Sequence, residues 1–520
     1  MNQVSKGATT QAPTGGLNAL DSLVVMPAQD AVILRNLIPN AYGCTLRRGF
    51  REHATNFNGT VATLMSWNNK DGSGKLFAVD NAAIYECTTP QAIVPDVFVV
   101  ESDNPWWQFT QFSNAAGVHT VAFNGINDGF WYSSVGYQAL IAGDGTATGT
   151  WAGVDPKNLV NVVVHQKRIW AVEKDSTLGW YLPPEQVFGV ATSFDFGGCF
   201  SRGGYLQAIA TWTTDTGVGI DDKLLAISSR GEVAIYSGYD PEDPTVWKLE
   251  GVYQAGPTFS RRCWTKYGGD VAILTQYGVV TMSSLLSQVE SVSQNSLSYK
   301  IQSLVSNYVA EGEYRAGWQI ITYPNDDLLI INVPGLSLSS NFQLAMNTIT
   351  KAWCVLTGMA AACWLPFGSS MLFGSQQAVQ RAFEGTKDNV LLDGTGGVPC
   401  RAEVQQAFNY FGAVGQNKHF KMFRPSFLFG GEFAIWAQAN MEFQFGASPP
   451  PAGPTSTSFG EWDVDVWNGG SVWGGDMQND RVWIFILGVG YAAAIRMIVE
   501  SEFELTWVST DWIFEVGGMV

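Results

Sequence analysis

Residues 223–238, KLLAISSRGEVAIYSG, decide the reading of the fold: two apolar runs flank a polar Ser-Arg-Gly turn. Short runs rich in Val, Ile and aromatics, bounded by Gly, Asn and Asp, read as β-strands joined in hairpins. The unit recurs on both sides. Upstream it reads KLFAVDNAAIYE from Lys75, VHTVAFNGINDGFWYS from Val118 and RIWAVEKDSTLGWYL from Arg168. Downstream it reads DVAILTQYGVVTM from Asp270, then DLLIINVPGLSLSSNFQLAMN from Asp327 and SMLFGSQQAVQRAFEG from Ser370. The starts lie about 40–55 residues apart, the period of a propeller blade. A blade cannot bury both of its faces alone. Blades stacked around an axis can, and large aromatic side chains fill the wedge-shaped gaps between them. The sequence therefore predicts a mainly β protein built on a β-propeller of six or seven blades. The competing expectation is a β-sandwich, where short strands also recur.

The repeat sets the domain expectation. Residues 1–55 precede it and read as an extended N-terminal arm with one short helix at Ala28–Leu37, where Ala31, Leu34 and Leu37 recur every three residues. Residues 56–388 hold the propeller. Residues 389–400, including NVLLDGTGGVP, read as a Gly-rich linker, and 401–520 as a separate C-terminal β domain. The second helical candidate is Ser284–Val309, with Leu286, Val289, Val292, Ile301, Leu304 and Val305 at helical spacing.

Composition excludes several classes. The chain has 520 residues, 46% apolar and only 14% charged, against roughly 25% charged in an ordinary domain. Its formal net charge of −17 argues against a protein that wraps nucleic acid, which needs a basic surface. The longest apolar run, Val482–Ile495, contains two glycines and is shorter than the roughly 20 residues of a membrane helix. The polar start, 1–20, lacks the basic-then-apolar pattern of a signal peptide. Seven scattered cysteines without a Cys-x-x-Cys read as buried free thiols. Four separated histidines offer no zinc set, so no metal is expected.

Nor do the residues form a catalytic motif. A sialidase-like propeller needs Ser-x-Asp-x-Gly-x-x-Trp boxes. The nearest approach, Asn347–Trp353, lacks the Asp and the Gly. Quinone-dependent dehydrogenases repeat a Trp motif in many blades, and here it occurs once. No phosphate-cradling Gly loop and no Gly-x-Ser-x-Gly elbow with a partner histidine is present. No catalytic residue and no cofactor is expected. The acidic clusters at Asp326-Asp327 and Glu242-Asp243 read as turns. Basic residues form small knots at Arg47-Arg48, Arg261-Arg262, and Lys418, Lys421 and Arg424.

Three segments carry a family resemblance. They are GGLNALDSLVVMPAQDAVILRNLIPNAYGCTLRRGF (Gly15–Phe50), QLAMNTITKAW (Gln343–Trp353) and FGEWDVDVWNGGSVWGGD (Phe459–Asp476), the last with Asn468 where a second Asp is usual. The close, GYAAAIRM…WIFEVGGMV (Gly490–Val520), fits as well. Together they resemble the tail nozzle, or tail tubular protein B-like, virion proteins of short-tailed bacteriophages, akin to packaged-DNA stabilisation proteins. The resemblance implies a structural, non-enzymatic ring, a homo-hexamer below the portal, that retains the packaged DNA and conducts it during ejection. The implied partners are further copies of the chain, a portal-adaptor protein above, tail fibre, spike or needle proteins, and double-stranded DNA passing through the lumen without tight binding. The implied location is the virion tail, assembled in the bacterial host cytoplasm. On this reading Trp462, Trp467, Trp473, Arg47 and Arg48 are candidate interface residues, and Lys418, Lys421 and Arg424 are candidate DNA-facing cations. The alternative is a glycan-binding, receptor-recognising propeller with exposed Trp platforms.

Overall fold

The computed structural model describes residues 5–94, 99–215, 220–287, 296–445, 451–455, 478–479 and 483–517. The chain is mainly β, and its repeats form a seven-bladed propeller. Blades 1 to 4 are antiparallel meanders starting with Thr63–Asn68, Gln108–Asn114, Leu159–His165 and Leu206–Asp215. Blade 5 has three described strands from Trp264–Tyr267, and blade 6 has four from Gln319–Tyr323. Blade 7 starts with Cys363–Phe367, and consecutive blades adjoin in a closed circuit in which blade 7 meets blade 1.

The alternation along each strand explains the circuit. In the deciding segment, Leu224 and Ala226 pack toward blade 3, and Leu225 and Ile227 pack toward blade 5. In blade 1, Leu76 and Ala78 face blade 7 while Phe77 and Val79 face blade 2. Both faces of each sheet are buried, so the strands read as continuous apolar runs. The gaps from blade 7 round to blade 5 each carry their own apolar cluster, with Trp67 and Trp107 between blades 1 and 2, and Trp170 and Trp247 between blades 3 and 4.

Six of the seven repeats are the second and third strands of a blade. The seventh differs. Residues 370–382 form one strand, bulged around Gln377, which has φ 56°. Its first half pairs with Cys363–Phe367 and its second half with Phe50–Thr60 from the N-terminal segment. The ring is thus closed by residues that precede the repeat.

The arm is woven rather than loose. The expected helix at Ala28–Leu37 is instead a strand, Asp30–Arg35, followed by Leu37–Pro39. Its register slips between Ala31 and Ile33 against Gln406 and Gln405. This bulge turns a period of two into three and puts Ala31 and Leu34 on one buried face. Asp30–Arg35 joins the last strand of blade 6 to Gly396–Gln406, so blade 6 continues into the C-terminal strands as one sheet. The expected linker at 389–400 is a hairpin of Lys387–Val390 with Gly396–Gln406. A second sheet pairs Leu505–Val516 with Ser5–Gln11, Cys44–Leu46 and Lys418–Phe429. One apolar core runs through the N-terminal segment, blades 5 to 7 and the C-terminal strands. The expected helix at Ser284–Val309 is broken. Met282–Leu286 is a short helix, Ser296 to Ser298 are not helical, and a longer helix spans Gln302–Gly312.

Candidate functional site

Two places concentrate unusual chemistry: the junction of the chain ends with blade 6, and the propeller axis. The junction begins with Gly15-Gly16-Leu17-Asn18. Gly16 has φ +80°, and a Cβ there would sit 2.7 Å from the Trp353 backbone nitrogen. Only glycine permits both the turn and that approach. Leu17 enters the core. The Asn18 Oδ1 accepts the backbone N–H groups of Leu20 and Asp21, and its Nδ2 donates to Asp21 and to buried Asp30. Trp353 is buried and donates its indole N–H to the Leu297 carbonyl. Its QLAMNTITKAW context is a hairpin turn in which Asn347 Oδ1 accepts from Ile349 and Thr350.

Arg47 lies at the centre of this junction. Its side chain is 1% exposed and grips Asp388 through both terminal nitrogens, at 2.7 and 2.5 Å. It also donates to Asn36 Oδ1, the Arg48 carbonyl and the Thr357 carbonyl. Asn36, held at φ 59°, donates to Thr357 Oγ1 and the Arg401 carbonyl and accepts from the Thr357 N–H. Burial alone would lower the Arg47 pKa, but the bonds and charge of Asp388 overcome it and raise the value. Arg47 is therefore an internal strut, not an exposed contact. Arg48 is half exposed and paired with Asp326 in a blade 6 turn.

The other candidate cations are also engaged. Lys418 is fully buried and donates to the carbonyls of Ala413, Gln416 and Tyr491. Burial lowers its pKa, and it presents no charge outward. Lys421 pairs with Glu515, and Arg424 pairs with Asp511 while lying over the Trp483 ring. Both partners stand on the neighbouring strand Leu505–Val516. The Lys421 contact holds the Glu515 pKa down, and Arg424 and Thr9 outweigh burial to lower that of Asp511. Trp462, Trp467 and Trp473 lie outside the described residues. The described tryptophans are buried or half-buried. Among the described residues no group of three His, Cys, Asp or Glu could hold a metal, and no helix is long and apolar enough to cross a membrane.

The axis contains groups whose role the sequence does not reveal. Arg262 precedes the first strand of blade 5. It donates to the Ala62 carbonyl, Thr63 Oγ1 and the Trp107 carbonyl at 3.2, 2.6 and 3.1 Å, at the starts of blades 1 and 2. Its guanidinium lies 5.4 Å from the Trp106 ring centroid, and its own carbonyl accepts from Ile320 of blade 6. In a seven-membered ring blade 5 does not adjoin blades 1 or 2, so this side chain crosses the central space. It lines two neighbouring cavities, one of about 760 Å³, called the outer funnel below, and one of about 370 Å³, called the inner cavity. Burial draws the pKa of both Arg261 and Arg262 down. The only hint in the sequence is the Arg261-Arg262 doublet, and nothing there tells which way it points.

No family model and no curated protein matches the sequence. Solved structures similar in outline include BBS1N in complex with ARL6DN (9% identity, TM-score 0.38, covering 64% of this chain and 96% of that one). YCF48 bound to D1 peptide is another (11%, 0.34, 69% and 99%). A third is the exo-beta-1,3-galactanase of Phanerochaete chrysosporium (11%, 0.25, 78% and 95%).

Proposed function

We propose that this chain is a structural subunit of the tail nozzle of a short-tailed phage. On this reading six copies surround a channel that holds packaged DNA and passes it at ejection. The observation that carries the proposal is the convergence of those segments of the resemblance that lie among the described residues, near the chain's two ends and in blade 6. Gly16 packs on Trp353, Arg35 pairs with Val355, and Ser5–Gln11 and Cys44–Leu46 pair with Leu505–Val516. Motifs hundreds of residues apart form one junction, as expected if they belong to a single structural module. That junction is built from buried struts and paired charges, which suits a load-bearing part. Electron cryo-microscopy of purified virions tests the proposal. The expected result is six copies in a ring beneath the portal adaptor. Absence of the chain from the tail, or a strictly monomeric chain in the presence of the adaptor, overturns it.

A further inference from the structure

The propeller axis is basic within an acidic protein. The outer funnel is lined by Arg230, Arg261, Arg262 and Arg315, against two carboxylates, Asp175 and Glu313. The inner cavity is lined by Arg261, Arg262 and Lys266 and by no carboxylate. The whole chain carries 46 acidic and 29 basic residues, so this local excess of cations runs against the composition.

One of these cations keeps its donors unspent. Among the described residues the Arg261 side chain has no hydrogen-bond partner, and the nearby carboxylate acting on it is that of Asp175. Arg262 bonds only neutral acceptors. Beside them Asn161 donates to the Arg261 carbonyl, while its Oδ1 is buried with no partner. Buried polar atoms such as Asn161 Oδ1 are ordinarily matched by hydrogen bonds. Arg261 and Arg262 line both cavities, whose volumes fall in the range of roughly 300–1,000 Å³ usual for small-ligand sites. Trp106, Tyr205 and Tyr314 add aromatic surface at the same funnel.

We propose that the axial funnel is a binding site for a small oligo-anion bearing carboxylate or phosphate groups. Arg261 supplies the free guanidinium fork, which matches either group with two parallel N–H···O bonds. Arg262 contributes charge from the floor, and Arg230 and Arg315 contribute it from the rim. The anion is either a free phosphate compound or the side chains of a short acidic peptide.

Titration calorimetry of the full chain at low salt, with pyrophosphate and with triglutamate as separate probes, tests this. The expected result is one-to-one binding of at least one probe, weakened about tenfold or more by Arg261→Gln and weakened by added salt. Arg261→Gln should keep the thermal midpoint, since the side chain makes no hydrogen bond within the protein. Arg230→Ala, at the exposed rim, should weaken binding less. Pyrophosphate binding alone identifies a phosphate compound, and triglutamate binding identifies an acidic peptide. No binding of either probe at millimolar concentration, or equal binding by Arg261→Gln, overturns the site.

Discussion

The Arg47–Asp388 pair offers a sharp test of how the chain ends are held. In Arg47→Met the Asp388 carboxylate stays buried without its cation. Removing one partner of a buried pair costs about 3–5 kcal/mol. The Thr357 and Arg48 carbonyls also lose their donor, whereas Asn36 Oδ1 still accepts from Thr357. The unfolding entropy of a 520-residue chain is about 1.1 kcal/mol/K if unfolding is cooperative, so the thermal midpoint should fall by about 3–5 °C. Hydrogen exchange reads the junction directly. Amides in Asp30–Arg35 and Gly396–Gln406 should exchange at least about a hundredfold faster, and those of blade 3 should change little. The double variant Arg47→Met, Asp388→Leu removes both charges and should be more stable than Arg47→Met alone, because no unpaired ion is left. A single variant within about 1 °C of the parent would refute the assignment of Arg47 as a strut. A double variant destabilised by the sum of both singles would refute the coupling.

Gly16→Ala should lower stability by about 2–5 kcal/mol, from its left-handed backbone and the clash with Trp353. Gly72→Ala, at φ +83° with nothing within 4 Å of a Cβ, isolates the backbone part and should cost only about 1–2 kcal/mol in the same thermal melts. Lys418→Met should cost several times more than Lys421→Met in denaturant unfolding. The first strips three carbonyls of their donor (about 1–3 kcal/mol for each left unsatisfied), and the second removes one partly exposed ion pair (about 1 kcal/mol or less). Burial lowers the pKa of His53 and His119 below the ordinary 6.5. Their contribution to stability is therefore present above pH 6.5 and is lost as pH falls toward the lowered folded values. The slope stays below the roughly 1.4 kcal/mol per pH unit that one full proton per residue would give. Melts from pH 7 to 5 on His53→Gln should show a shallower loss.

The propeller was legible because both faces of each blade are buried. Runs such as LLAI at 224–227 therefore stand out as wholly apolar, and the turns between them carry Gly, Asn and Asp. The N-terminal helix was misread for a specific reason. A bulge at Ala31–Ile33 makes a strand bury every third residue, and periodicity alone cannot separate that from a helical stripe. The closing strand of blade 7 was hidden because its partner, Phe50–Thr60, is more than 300 residues away in sequence. Among the candidate cations, residue type showed that charge was present but not where it was used. Arg47 and Lys418 look like surface residues in the sequence, yet they satisfy a buried carboxylate and three carbonyls. Arg262 gave no signal because its partners come from blades 1 and 2, far away in the chain.

Arg262 also constrains where DNA could travel if copies of this chain enclose it. The grooves of a duplex alone are roughly 12 and 6 Å wide, whereas the inner axial cavity holds about 370 Å³ and a side chain crosses it. The passage must then lie between copies, on an outer face of the propeller or the C-terminal sheets. The same cations shape that outer face. Arg47, Lys418 and Arg262 serve internal acceptors or the axis, and Lys421 and Arg424 are matched by Glu515 and Asp511. The outer surface therefore offers few unpaired cations at these positions, on a chain whose formal net charge is −17. Such a surface repels phosphate within a Debye length of about 8 Å at physiological salt, and repulsion on all sides of a lumen keeps a duplex centred and free to slide.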